Sequence, residues 1–110
     1  MPLHIHESDA VTTKFEHHEF TPLLDSGMGC LNGCTGGVLS YTQEEYIQGG
    51  IHEDQEAFYV LEGTGRAKVG GEEFDIRPGS CFFIPPGVYH YIKKDPSVPR
   101  IKLFFFHAAI

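Results

Sequence analysis

The chain contains no tryptophan, only two methionines and only three cysteines, Cys30, Cys34 and Cys81, in 110 residues. An odd cysteine count with a C-x3-C spacing and no second pair offers neither a disulfide framework nor the two-residue gap usual in redox and zinc motifs. Positive charge is also scarce. Eight Lys and Arg face fifteen Asp and Glu for a net charge of -7, and Lys14 is the sole basic side chain before Arg66. That balance repels a phosphate backbone, and no basic stripe interleaved with aromatics compensates for it, so nucleic acid is excluded as a partner. No apolar run approaches a membrane span, and the opening MPLHIHESDAV lacks the basic and apolar regions of an export signal. The expectation is a cytoplasmic protein without a membrane partner. Helical periodicity is missing too: no window longer than about ten residues keeps an i, i+3, i+4, i+7 stripe, and Pro78, Pro85, Pro86, Pro96 and Pro99 break the second half.

What remains points to strands. Nine Phe, five Tyr, thirteen Gly and seven Pro suit short strands joined by tight turns, and a chain of this length makes one domain. From Gly37 onward the segments VLSYT, EEYIQ, AFYVLE, RAKV, EEFDI, SCFFI, YHYIKK and RIKLFFF recur between turn residues. Strands at such spacing predict an all-β sandwich or barrel. Ala67 and Val69 alternate with Arg66 and Lys68, and Phe74 and Ile76 with Glu73 and Asp75, as half-buried strands do. Gly70-Gly71 between them predicts a two-residue hairpin. Ile101, Leu103, Phe105 and His107 share one face of the last run and Phe104 and Phe106 the other, so that strand should be covered on both faces. The expected core includes Ala67, Val69, Phe74, Ile76, Leu103 and Phe105, with most of Phe58, Phe82, Phe83, Phe104 and Phe106. Residues 1–35 are weakly patterned, with extended stretches at Leu3–Ile5 and Lys14–Phe20 and a glycine-rich loop at Leu24–Cys34. They read as an N-terminal arm, able to exchange between protomers, ahead of a barrel domain over residues 36–110.

Two segments carry chemistry. From Gly50 to Gly63 the chain runs G-x-H-x3-E-x6-G, and from Gly79 to His90 it runs G-x5-P-x-G-x2-H. They resemble the two signature motifs of the cupin superfamily, G-x5-H-x-H-x3,4-E-x6-G and G-x5-P-x-G-x2-H-x3-N. Gly79, Pro85, Gly87 and His90 match the second, with Lys94 standing for its final Asn. His52, Glu56 and Gly63 match the first, with Gly50 in place of the first histidine and Glu44 in place of the leading glycine. The resemblance implies an antiparallel jelly-roll barrel whose mouth holds a divalent transition metal on His52, Glu56 and His90.

Imidazole and carboxylate are ligands for Fe, Mn, Ni, Cu or Zn, and two histidines with one carboxylate leave other coordination positions open for substrate. Asp54, in the same loop, and His107, on the last strand, are the candidates to fill the missing position. His4, His6, His17 and His18 are weaker ones, because a terminal segment is poorly fixed and adjacent His17 and His18 point to opposite faces of a strand. Tyr89 should point away from His90. Gly50 should leave a weaker, more open site, and Gly50→His should raise metal affinity unless the mouth has closed around the glycine. The resemblance implies a metal-dependent isomerase, decarboxylase or dioxygenase acting on a small polar organic ligand. Two alternatives stay open: a metal-free small-molecule binding or sensing domain, and a structural dimer module with a vestigial pocket. Short strand edges and the doubly apolar last strand suggest a homodimer, with residues 1–20 lying across the partner sheet.

Overall fold

Alternation and turn chemistry act together most plainly at residues 65–76. In the computed structural model, which describes residues 3–47 and 49–108, Val69 pairs with Glu72 across Gly70-Gly71. Gly70 has φ of 59°, a left-handed conformation that a side chain would oppose. The strands are β1 (Thr13–Lys14), β2 (His18–Leu24), β3 (Thr35–Tyr41), β4 (Gly49–Gly50) and β5 (Gln55–Glu62). They continue with β6 (Gly65–Val69), β7 (Glu72–Ile76), β8 (Cys81–Ile84), β9 (His90–Lys94) and β10 (Ile101–Ala108). Single 3-10 turns lie at Glu7–Asp9 and Ser26–Met28.

The strands form a six-stranded sheet, β1-β2-β3-β10-β5-β8, and a four-stranded sheet, β4-β9-β6-β7, with antiparallel pairing throughout. This is an all-β jelly roll. Phe58, Val60, Ile84, Ile101, Leu103 and Phe105 of the larger sheet meet Ala67, Ile76 and Ile92 of the smaller one in a single core. β10 lies between β3 and β5, and its inward residues Ile101, Leu103 and Phe105 are buried. His107, next in that parity, leaves the core at the mouth of the barrel.

Several expectations change. Of the EEYIQ segment, residues 44–47 form no strand and Gln48 lies outside the described residues: Glu44–Tyr46 is a bend, and Gly49–Gly50 pairs with β9. The bend is held by side chains, since Gln43 Nε2 donates to the Ile92 carbonyl at 2.6 Å. Leu3–Ile5 forms no strand either, and Lys14–Phe20 is divided between β1 and β2. β2 pairs with β3 of its own chain from His18 to Leu24, and Lys102 bonds Glu7 at 2.8 Å, so the N-terminal segment lies on its own larger sheet. Phe74, on edge strand β7, and Val69, at the hairpin end of β6, pack against the core half-buried. Phe82 also packs on the core, whereas Phe83, its neighbour of opposite parity, is 51% exposed. Phe106 and Tyr59 are 36% and 47% exposed, so the outer face of β10 and β5 is not covered within the described chain.

Two of the three motif departures meet. Lys94, 8% exposed, places Nζ 2.9 Å from Glu44 Oε2 and donates to the Val98 carbonyl at 2.9 Å. Its backbone N–H donates to the Gln43 carbonyl at 2.8 Å. The lysine where the motif has Asn and the glutamate where it has Gly thus form one ion pair that ties the 43–44 bend to the end of β9. Glu44 is half exposed, so screening leaves the pair itself worth little, while Lys94 also satisfies a carbonyl. Lys94→Ala is expected to cost about 2 kcal/mol, and Glu44→Gln less than about 1 kcal/mol. Thermal denaturation checks this, a loss of 1 kcal/mol lowering Tm by roughly 4–8 °C in a domain of this size.

Candidate metal centre

Glu56 is the first inward residue of β5, one alternation before Phe58 of the core, and its β10 partner is His107. His90 opens β9 opposite Gly50 of β4. His52 and Asp54 lie in the connection from β4 to β5, which a bond from Gly87 N–H to the His52 carbonyl, 2.8 Å, pins to the turn of the second motif. Four separate pieces of chain therefore bring His52, Asp54, Glu56, His90 and His107 to one end of the barrel.

Glu56, 4% exposed, is the hub. Its Oε1 lies 3.0 Å from His52 Nε2 and 3.4 Å from His90 Nε2, and its Oε2 lies 2.9 Å from His107 Nε2. Burial pushes the Glu56 carboxyl above the usual carboxylate range, against the pull of His107 and His52. Burial alone would lower His52, but the Asp54 carbonyl and the carboxylates of Glu56 and Asp54 outweigh it and hold the imidazole above its ordinary value. Burial would likewise raise Asp54, yet its hydrogen bond and attraction to His107, followed by His52, hold it low. His90 goes the other way. Burial, then the charge of His52, pushes it down to about 4, so it is a neutral imidazole near pH 7.

The donor set suits a metal ion. His52 Nδ1 faces two acceptors, the Asp54 carbonyl at 3.0 Å and Asp54 Oδ1 at 2.8 Å, so Nδ1 carries the hydrogen. In neutral His52 the Nε2 lone pair then faces a carboxylate oxygen at 3.0 Å, acceptor against acceptor, and a cation is needed between them. A proton or a metal ion can fill that role. Ligand atoms of His52, Glu56 and His90 lie within 4.8 Å of one another, as do those of His52, Asp54 and His107.

The cluster lines a cavity of about 370 Å³ whose walls include Phe20, Leu39, Tyr41 and Phe58. Burial and then the Glu56 charge push the Tyr41 phenol up, so it stays protonated. His18 reaches the same cavity, stacked on Phe15 at 4.6 Å and beside Tyr41 at 5.7 Å between ring centroids. Neither Tyr41 nor His18 belongs to a motif, and His18 stands in a segment with weak patterning. Its signal was strand parity alone: His18 pairs with Tyr41 across β2 and β3. His17 instead lies 3.7 Å from Glu16, while His4 and His6 line a different cavity beside Pro22 and Leu23. Tyr89 is exposed, on the opposite face from His90. All three cysteines are free.

A two-sheet jelly roll with histidines and a carboxylate gathered in its mouth defines the class. The chain belongs to the cupin domain family, whose model matches residues 40–102. It is similar to an acireductone dioxygenase of Puccinia graminis f. sp. tritici, 24% identical over 68% of this chain and 46% of that protein. In three dimensions it resembles Fe(II) HppE in complex with substrate, with a TM-score of 0.83 and 15% identity over 97% of this chain and 60% of that one. It also resembles a predicted oxalate decarboxylase from Thermotoga maritima, with a TM-score of 0.82 and 17% identity over 96% of this chain and 98% of that one. These structural likenesses show the fold alone. The chain spans less than half the length of the curated relatives it matches. No helix among the described residues is long and apolar enough to cross a membrane.

Gly50 changes meaning in the structure. A Cβ there would lie 3.0 Å from His90 Cε1 and 3.2 Å from Nε2, so the His90 ring already fills the space beside the glycine. A side chain at position 50 must push that ring aside by a few tenths of an ångström. Gly50→Ala is therefore expected to weaken metal binding, and Gly50→His to gain nothing, in titrations against the parent; a rise in affinity with histidine would show that the ring yields freely.

In metal-free protein, His90 links stability to pH with a definite sign. The unfolded chain takes up a proton near pH 6.5, which folded His90 resists until about 4, so its contribution is present above 6.5 and is lost as pH falls toward 4. His52, held high, works oppositely, its contribution being lost as pH rises. His90→Gln is expected to remove an acid-side loss of at most roughly 3 kcal/mol, read from denaturant unfolding between pH 7.5 and 4.5.

Proposed function

We propose that this cupin binds a divalent transition metal through His52, Glu56 and His90 and acts on a small polar organic ligand admitted through the barrel mouth. The observation that carries the reading is His52, whose Nδ1 hydrogen is committed to Asp54 while Nε2 faces the buried Glu56 carboxylate at 3.0 Å. Two imidazoles and one carboxylate suit Fe, Mn, Ni, Cu or Zn and leave coordination positions open. Such an ion supplies Lewis acidity or oxygen chemistry when bound, fitting isomerisation, decarboxylation or dioxygenation. The chain's own residues shape the pocket: Phe20, Leu39 and Phe58 exclude water, and Tyr41 offers a protonated phenol beside the cluster. The Fe(II) form of HppE and the dioxygenase among the relatives support the metal-dependent reading by likeness.

A second reading, a metal-free binding or sensing domain, is favoured by one observation. Protonated His52 and His107 would themselves neutralise Glu56 and Asp54, so the cluster can be satisfied without a metal ion. Three free thiols fit a reducing compartment such as the cytoplasm. The exposed row in which Phe106 pairs with Ala57 and Ala57 with Phe83, beside edge strand β8, supports a homodimer.

Element analysis of freshly purified protein, followed by titration of metal-free protein with Mn, Fe, Ni, Cu and Zn, is expected to show one ion per chain. His52→Ala and His90→Ala should each lose it while keeping the barrel folded. Full metal content in both variants would refute the ligand assignment, and no binding by the parent would leave the metal-free reading. Sedimentation at micromolar concentration is expected to show a dimer.

A further inference from the structure

We propose that the third imidazole of this centre comes from the last strand, as His107, and that Asp54 is a positioning residue shared by His52 and His107, not a ligand. The proposal rests on the metal-binding reading above.

One carboxylate serves two rings: Asp54 Oδ1 lies 2.8 Å from His52 Nδ1, and Asp54 Oδ2 lies 2.7 Å from His107 Nδ1. A carboxylate oxygen only accepts, so each Nδ1 carries a hydrogen and each Nε2 presents its lone pair. Both lone pairs are aimed at Glu56, His52 Nε2 at 3.0 Å from Oε1 and His107 Nε2 at 2.9 Å from Oε2. His90 Nε2 approaches Oε1 from the other side at 3.4 Å. Three Nε2 atoms thus converge on one buried carboxylate, and two of them are oriented by the same aspartate. Both Asp54 oxygens face ring Nδ1 atoms, whereas the Nε2 of each ring is left to face Glu56 and a metal ion there.

Topology explains why the last strand can supply the ligand. β10 lies beside β5 in the larger sheet with His107 registered against Glu56, and its inward parity carries His107 to the mouth directly above Phe105. Position 50 lies in the other sheet, opposite His90, whose ring occupies the space a side chain there would need. The missing histidine and the extra one are therefore linked. The chain keeps three imidazoles and one carboxylate while moving one imidazole from the smaller sheet to the larger. Gly50, His18 and Tyr41 line the cavity beside His90.

Cobalt(II)-loaded full-length protein gives the test, because each imidazole bound through Nε2 contributes one exchangeable, strongly shifted Nδ1–H resonance in proton NMR. Three such signals are expected in the parent and two in His107→Gln, with weaker cobalt affinity. Asp54→Asn should retain three signals but exchange two of them faster with solvent, and should bind cobalt about 10- to 100-fold more weakly, as loss of an outer-shell partner does. Nitrogen-15 shifts of the metal-free parent at pH 8.5 should show protonated Nδ1 on both His52 and His107, a readout that needs no variant to fold. Two signals in the parent, unchanged in His107→Gln, would overturn this proposal and leave the metal reading standing. Unprotonated Nδ1 atoms on His52 and His107, or an Asp54→Asn protein with parental affinity and exchange, would overturn the role of Asp54. Failure of the parent to bind cobalt at all would overturn both readings together.

Discussion

A carboxylate buried at the mouth of a barrel cannot remain ionised without positive charge close by, and Glu56 organises this protein through that requirement. Its desolvation draws three imidazoles onto two oxygens, and those imidazoles come from the β4–β5 connection, β9 and β10. Asp54, half exposed and therefore cheap to keep ionised, holds the far sides of two of the rings. Burial keeps His90 neutral, while at His52 burial is outweighed by the Asp54 carbonyl and the carboxylates of Glu56 and Asp54, which hold it above its ordinary value.

The departures from the cupin motifs are coupled in pairs. Glu44 and Lys94 each replace a residue of one motif and bond each other across the bend before β4. Gly50 replaces a histidine, and the space it leaves is used by the His90 ring, while His107 enters from the opposite sheet. Neither pair is intelligible one residue at a time. A lone glycine at position 50 reads as a loss, but in the structure the space beside it holds the His90 ring.

The outer face of the larger sheet follows a different logic. Val38 and Thr21 are buried on it near the N-terminal segment, whose Glu7 reaches Lys102, while Tyr59, Phe83 and Phe106 stay exposed farther along. The segment expected to be a free arm contributes β1 and β2 to the chain's own sheet. Weak hydrophobic patterning in residues 1–35 reflects strands that border one face only and turns at Ser26–Met28, and it did not mean absence of structure.

Sequence alone determined the all-β class, the β6–β7 hairpin at Gly70-Gly71, the inward parity of Ile101, Leu103 and Phe105, and the expectation that His52, Glu56 and His90 meet, as they do. The first three follow from local rules, since side chains alternate along a strand and glycine admits a positive φ, and the last from the resemblance of two segments to the cupin motifs. Tertiary structure alone decided that His107 faces Glu56, that Asp54 bridges two rings, that Glu44–Tyr46 bends, and that His18 and Tyr41 wall the cavity. Those outcomes depend on which strands become neighbours and in what register. Register is set by packing two sheets around one core, a sum of contacts between residues more than fifty positions apart, such as Asp54 and His107, that no local pattern along the chain encodes.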